Sequence, residues 1–300
     1  GSIWIDSANY KLYYVDSTQN VRYLDIGTQA AATGAIAGSL WIEGANTASR
    51  INSVASVSGQ PQKTTYHTDV TTPQFSNTTY TVAYGTAYGT AYGINYGTAY
   101  GINYGTVYGT AADAAGNGWW LDMKFDKVMR GDPVNGQTGE IQLPPVQAEV
   151  DRLTADEKAL YAKYVVPDFN TPYPWAQGAR RMGGDKNPDG EFVYVGNSFG
   201  GNLARINIKS NKMDLIPLPN PATQQPYQVA IDTRHQVWTN LWSTDAIAKY
   251  DPASSQWTLF DLPSRGTETR HISLLEKDGK LQVVLPYSRT RRVAVMTVRS

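Results

Sequence analysis

The sequence predicts an all-β chain, a β-propeller of six or seven blades with one short helical insertion. Three observations predict it: a self-similar unit of about 44 residues that closes on Leu-Pro, turn signals that cut each unit into four short runs, and a composition rich in Gly, Tyr and Trp. Self-similarity at such a period is the signature of stacked supersecondary units, because one unit cannot bury its own faces.

The repeat is demonstrable by register. Asp113-Ala-Ala-Gly-Asn-Gly-Trp119 matches Asp232-Thr-Arg-His-Gln-Val-Trp238, 119 positions on, without a gap. The same offset pairs Val128 with Ile247, Arg130 with Lys249, Asp132-Pro133 with Asp251-Pro252, and Leu143-Pro144 with Leu262-Pro263. At an offset of 44, Tyr194 falls on Trp238, Leu203 on Ile247, Arg205 on Lys249, and Leu218-Pro219 on Leu262-Pro263. Looser copies run from Asp278 to Val298, from Lys11 to Asp25 and from Ser39 to Asn52.

In the clearest unit the predicted strands are Gln228–Asp232, Gln236–Leu241, Ala246–Tyr250 and Trp257–Leu262, separated by polar turns. The repeated aromatics Trp119, Trp238 and Tyr194 are expected in the core between blades. Ile3-Trp-Ile-Asp6 is expected to close the ring by joining the final blade.

Two segments break the rhythm of an expected single domain spanning 1–300. The insertion, residues 145–175, contains Glu149 to Tyr164, where Leu153, Leu160, Tyr161 and Tyr164 suit one helical face. Thr154 is the expected N-cap of a helix starting at Ala155, with Glu157 at the capping-box position. The tract 84–110 carries a Tyr every fourth residue from Tyr84 to Tyr108, which puts the rings on one face of an extended chain. Read functionally it is a ladder for a sugar or for self-association; read compositionally it is a low-complexity linker or an expanded blade strand.

Composition excludes several functions. Lys+Arg and Asp+Glu are balanced at 26 each, and charged residues are 17% of the chain, so there is no electrostatic case for nucleic acid. With no Cys there are no disulfides, thiol nucleophile or Fe–S ligands. No apolar run reaches membrane-spanning length. Gly1-Ser2 is compatible with a processed N-terminus, and the expected location is periplasmic or extracellular.

The pattern Pro226-Tyr-Gln-Val-Ala-Ile-Asp232, then Val237-Trp238, Ile247-Ala-Lys-Tyr-Asp-Pro252 and Trp257-Thr-Leu-Phe-Asp-Leu-Pro263 resembles the streptogramin (virginiamycin) B lyase-like propellers. The resemblance covers 111–299 apart from the insertion, and 1–75 only faintly. It implies seven blades and, in the true lyases, elimination across a macrocyclic ester with a magnesium ion and His and Glu near the central channel. One lyase His follows a Pro at the start of an inner strand; this chain has Pro226-Tyr227-Gln228 there. The next blade offers Glu268-Thr-Arg-His271, with His271 at the family's position and Glu268 one residue further away. The second family Glu falls near Pro286 or Tyr287. Most catalytic positions are therefore unmatched.

His271 and Glu268 are the candidate catalytic pair. Arg180, Arg181, Tyr227, Gln228 and Arg270 are the candidate ligand-binding residues at one channel mouth, suited to an anionic or polar ligand. No residues are assigned as metal ligands, and the expected cofactor of a metal-assisted site is Mg or Ca. Asp185, Asn187, Asp189 and Glu191 offer oxygens in one loop but lack the EF-hand pattern. Gly196-Asn-Ser-Phe-Gly-Gly201 mimics a nucleophile elbow but aligns with a blade turn.

The expected function is a lyase-like propeller acting as an exported binding or scaffold module for a protein, a polysaccharide or a small polar ligand. The alternatives are a metal-assisted C–O lyase at the channel mouth and a structural component of an extracellular assembly that self-associates through the Tyr-Gly tract.

Overall fold

The computed structural model describes seven N-terminal strands by backbone, and thereafter residues 107–122, 125–131, 138–164, 173–277 and 279–298. It contains two compact units, 1–176 and 177–300. Each holds three antiparallel sheets among the described residues, and the chain has an all-β, propeller-like fold.

In the first unit, β1 (Ile3–Asp6), β2 (Lys11–Val15) and β3 (Val21–Asp25) form one sheet, and β4 (Ala31–Ile36), β5 (Ser39–Glu43), β6 (Thr47–Asn52) and β7 (Lys63–His67) a second. The faint repeats read from 11–25 and 39–52 are hairpins, with Lys11 opposite Asp25 and Ser39 opposite Asn52. β1 departs from expectation: Ile3 pairs with Tyr14 and Asp6 with Lys11, so this strand opens a sheet of its own instead of completing the final one. The short turn to β2 makes local pairing the cheaper loop closure. The third sheet holds β8 (Val107–Ala112), β9 (Gly118–Asp122), β10 (Lys127–Gly131) and β11 (Thr138–Gln142). Of the Tyr-rich tract, 84–106 lie outside the described residues, and its last residues open β8.

The insertion is two helices, α1 (Gln147–Arg152) and α2 (Ala155–Tyr164). α2 carries the capping box: the Glu157 carboxylate accepts from the Thr154 amide at 2.7 Å, and the Thr154 hydroxyl from the Glu157 amide at 3.2 Å. Its expected apolar face is only partly used. Tyr161 packs edge-on against Trp175 at 5.2 Å, whereas Leu160 is 52% exposed. No helix among the described residues is long and apolar enough to cross a membrane.

In the second unit the sheets are β12–β15 (Ala179–Gly184, Phe192–Asn197, Asn202–Asn207, Met213–Pro217), β16–β19 (Pro226–Ile231, Val237–Leu241, Ala246–Asp251, Gln256–Asp261), and β20–β22 (Ser273–Lys277, Lys280–Tyr287, Arg292–Val298). The strands of the middle sheet follow the sequence prediction to within two residues at most ends. Successive sheets stack through their first strands, β12 on β16 and β16 on β20.

The repeated residues perform repeated tasks. Asp113 accepts the amides of Ala115 and Asn117 and, at 2.8 Å, the Trp119 indole N–H. Asp232 accepts the amides of Arg234 and Gln236 and, at 3.0 Å, the Trp238 indole N–H. Both Trp side chains are fully buried, and each lies under a cation from the facing strand, Arg130 at 5.4 Å and Lys249 at 5.7 Å. Tyr194 faces Arg205 in the same register. It packs with Val229 and Val237 of the next sheet, as Trp238 packs with Ile272, Val283 and Leu285. Tyr194 and Trp238 thus form part of the core between sheets.

The Leu-Pro step also has a mechanical meaning. The amides of Leu143, Leu218 and Leu262 donate to the carbonyls of Asp126, Gly201 and Asp245, in the turn between second and third strands. Each Leu is buried, and Leu218 packs on Leu241 and Ala248 of the following sheet. One residue therefore ends a sheet and attaches it to the next.

Candidate functional site at the inner strands

In the second unit β12 and β16 are bulged near their starts, and the segment leading into β20 is offset in the same way. Ala179 pairs with Asn197 but Met182 with Val195; Pro226 pairs with Leu241 but Val229 with Thr239. Thr269 pairs with Tyr287 but Ser273 with Val284. Each time the inner strand carries one residue more than its partner, which leaves the ladder locally open and re-aims side chains. The bulged pairs are Arg180-Arg181, Tyr227-Gln228 and Arg270-His271. All five predicted ligand-binding residues and His271 thus occupy the same two positions of consecutive sheets, each pair followed by a buried apolar residue: Met182, Val229 or Ile272.

A buried Asn supports this backbone. The Asn240 side chain, fully buried on β17, accepts the Gln228 amide at 3.0 Å and donates to the Thr269 carbonyl at 2.5 Å. It binds a bulge of one sheet to the entry of the next. In the preceding sheet Gly196 stands at the equivalent position, where a Cβ would lie 2.7 Å from the Tyr227 carbonyl oxygen. The stacking is that close.

His271 is exposed, and its Nδ1 lies 2.9 Å from Gln228 Oε1. The surrounding protein and the charges of Arg181 and Arg270 hold its pKa below the usual imidazole range. Arg270 donates to Glu268 at 2.7 Å and lies 5.9 Å over the Trp242 ring. Tyr227 is buried against that same Trp242 at 5.8 Å. Arg180 sits 4.9 Å over Phe199, itself 41% exposed.

The structure assigns His271 and Glu268 to different hydrogen-bond partners. Glu268, in a left-handed conformation with φ 46°, accepts from both Arg270 and Arg289, and these guanidiniums hold its carboxyl below the usual range. A carboxylate so held stays ionised and is a poor proton donor at neutral pH.

The remaining candidates are structural. Asp185 accepts from Asn187, amide and side chain, and pairs with His235 Nδ1 at 2.5 Å; Glu191 pairs with Lys209. Among the described residues no three His, Asp or Glu side chains converge to hold a metal. Ser198 of the elbow-like sequence donates to the Pro226 carbonyl at 2.6 Å, buried in a turn between strands. Asn240, Trp242 and Arg289 were missed by sequence reasoning; only Asn240, polar in the apolar alternation of β17, carried any signal.

No protein-family profile and no curated protein matches the sequence. Among solved structures the chain is similar to a streptogramin B lyase, at 12% identity and TM-score 0.59, over 99% of this chain and 79% of that one. It is similar to virginiamycin B lyase from Staphylococcus aureus at 12% identity and TM-score 0.57, over 99% of this chain and 84% of that one. A catalytically inactive form of that enzyme, solved with quinupristin, aligns over 98% of this chain and 82% of its own at the same identity and score.

The fold is that of a streptogramin B lyase-like propeller. At this identity the likeness is one of architecture, and chemistry has to be read from the chain's own side chains. Where the lyase-like pattern expects a His after the inner-strand Pro, Tyr227 is buried and packed, with 5% of its surface exposed. Near Pro286 or Tyr287, where it expects a second carboxylate, Tyr287 is buried as well, at 4%.

Proposed function

We propose that this lyase-like propeller is a binding module, and that its inner-strand bulges take an anionic or polar ligand without turning it over. The observation that carries this reading is the bulge register: Arg180, Arg181, Arg270, Gln228 and His271 share two equivalent positions on stacked sheets. Guanidinium groups with an amide and an imidazole suit a carboxylate or phosphate. The only carboxylate of the predicted set, Glu268, is engaged as a counter-ion to Arg270 and Arg289. The test is a chemical-shift titration of the full chain with inorganic phosphate and with acetate. Saturable shifts at 180–181, 227–228 and 270–271, lost in Arg181→Ala, support the reading. Linear drift with both anions rejects it.

The alternative, metal-assisted C–O elimination at His271, draws on the fold likeness to a lyase solved with quinupristin. Incubating the protein with quinupristin and Mg²⁺ separates the two readings. The ring-opened product of an elimination has the same mass, so chromatographic retention is the readout. The binding reading expects intact quinupristin; conversion that disappears in His271→Ala would establish the lyase.

A further inference from the structure

One repeated turn carries an unexpected residue. Between β8 and β9 the chain turns at Gly116, whose φ is 87° and whose amide donates to the Asp113 carbonyl at 3.0 Å. Between β16 and β17 the equivalent residue, 119 positions on, is His235. Its amide donates to the Asp232 carbonyl at 3.1 Å, and its φ of 60° lies in the left-handed region that suits glycine. A side chain kept in that conformation is held there by its surroundings. The preceding sheet supplies them. His235 Nδ1 lies 2.5 Å from Asp185 Oδ2 and Nε2 3.4 Å from Asp189 Oδ1, both in the turn between β12 and β13. The Asn187 side-chain nitrogen is 3.3 Å from Nδ1, but its two hydrogens go to Asp185 Oδ1 at 2.7 Å and to the Asp232 carbonyl at 3.1 Å.

A carboxylate only accepts, so Nδ1 donates to Asp185 and the proton gained or lost is the one on Nε2. The Asp185 side chain is 6% exposed and that of Asp189 81%, so the first bond is fixed and the second is free to move. The ring pKa is raised, chiefly by the hydrogen bond to Asp185; burial opposes this, and the charges of Asp185, Asp189 and Asp232 add to it. From β20, Glu276 accepts the Thr233 amide at 2.9 Å and hydroxyl at 2.5 Å, while Lys186 and Arg234 are exposed. We propose that His235 is a proton-operated latch between the two turns. With Nε2 protonated it holds Asp189 and closes the turn 185–191 onto the next sheet. Without that proton a lone pair faces the Asp189 carboxylate, and this arm lets go while Nδ1 keeps Asp185. The latch is closed below the raised pKa and opens as pH passes it. These turns follow the ends of β12 and β16 away from the bulges, so the inference stands apart from the binding reading.

Amide exchange with solvent, measured by NMR on the full chain and corrected for its intrinsic pH dependence, tests the latch. The Asn187 and Gly190 amides are the reporters, since both are hydrogen-bonded within the turn. Their protection is expected to fall about two- to fivefold between pH 5.5 and pH 9, the range of a largely exposed ion pair. His235→Gly, the residue found at the equivalent position 116, and Asp189→Ala should each give protection that no longer changes over this interval. The ring pKa of His235, followed by its own resonances, should drop in Asp189→Ala, a change that a merely structural ring would not show. Protection that varies with pH alike in the wild type and in His235→Gly overturns the latch. A His235 pKa unmoved in Asp189→Ala overturns it as well.

Discussion

The equivalence of Asp113–Trp119 and Asp232–Trp238 can be measured as a coupling energy. In Asp232→Ala, two turn amides and the Trp238 indole lose their acceptor. Arg234 is exposed and Gln236 half-exposed, so their amides find water. Trp238 is fully buried, and its N–H does not. Hydrogen bonds to an ionised acceptor contribute roughly 1.5–3 kcal/mol, and an orphaned buried donor costs about 1–3 kcal/mol. The expected loss for Asp232→Ala is therefore about 3 kcal/mol. Trp238→Phe removes the indole N–H, and the double variant should recover about 1–2 kcal/mol relative to the sum of the singles. Urea unfolding followed by far-UV circular dichroism reads all four species without relying on Trp emission. Applied to Asp113 and Trp119, the same cycle should give the same coupling to within about a factor of two. A coupling near zero at one pair and large at the other would refute the claim that the sheets are copies of one unit.

Leu218→Ala and Leu262→Ala should each cost about 2–5 kcal/mol, since each Leu is buried against the following sheet; urea midpoints check this. Asn240→Ala leaves the Gln228 amide and the Thr269 carbonyl without their partner, an expected loss of about 2–4 kcal/mol. Its His271 ring resonances should also broaden or shift, whereas the equally buried Thr239→Val should leave them in place. His235 pairs with Asp185 and faces Asp189 and Asp232, and its pKa is raised, chiefly by the Asp185 hydrogen bond. A raised pKa means the clasp contributes fully below the unfolded value and fades as pH rises through the folded one. The stability gap between wild type and His235→Gln should accordingly be larger at pH 5.5 than at pH 9, and a gap that grows with pH would contradict it. Met182→Ala should cost about 2–4 kcal/mol, since Met182 is buried behind the bulge.

The frame was legible because each of its devices is local and repeated. Asp232 and Trp238 lie six positions apart in sequence and touch in space. The Leu-Pro step recurs at a fixed distance from the turn whose carbonyl it binds. Thr154 and Glu157 meet within one helical turn. The site was legible only as a set of residue types near the right strands. Its pairings join residues more than twenty positions apart: His271 with Gln228, Asn240 with Thr269, Glu268 with Arg289. Periodicity says nothing about such contacts, which depend on how closely one sheet stacks upon the next. The same limit explains Ile3–Asp6, whose strand character was evident and whose partner was not.

Why a site should form where it does follows from the bulge. In a regular strand of a stacked sheet, alternate side chains go into one packed interface or the other, and each is constrained by volume. An extra residue breaks that alternation at one place, so the side chains there are re-aimed. The neighbours confirm the division of labour: Met182, Val229 and Ile272 are uniformly buried and apolar, while the preceding position holds Arg, Gln and His. In the first unit, β8 has the same shift between Val107 and Thr110, and Gly109 occupies the position with φ 74°. The register shift recurs there while both the residue and its backbone conformation differ. The repeat thus supplies a fixed frame and, at each register shift of the second unit, one position that holds Arg, Gln or His in place of a core residue.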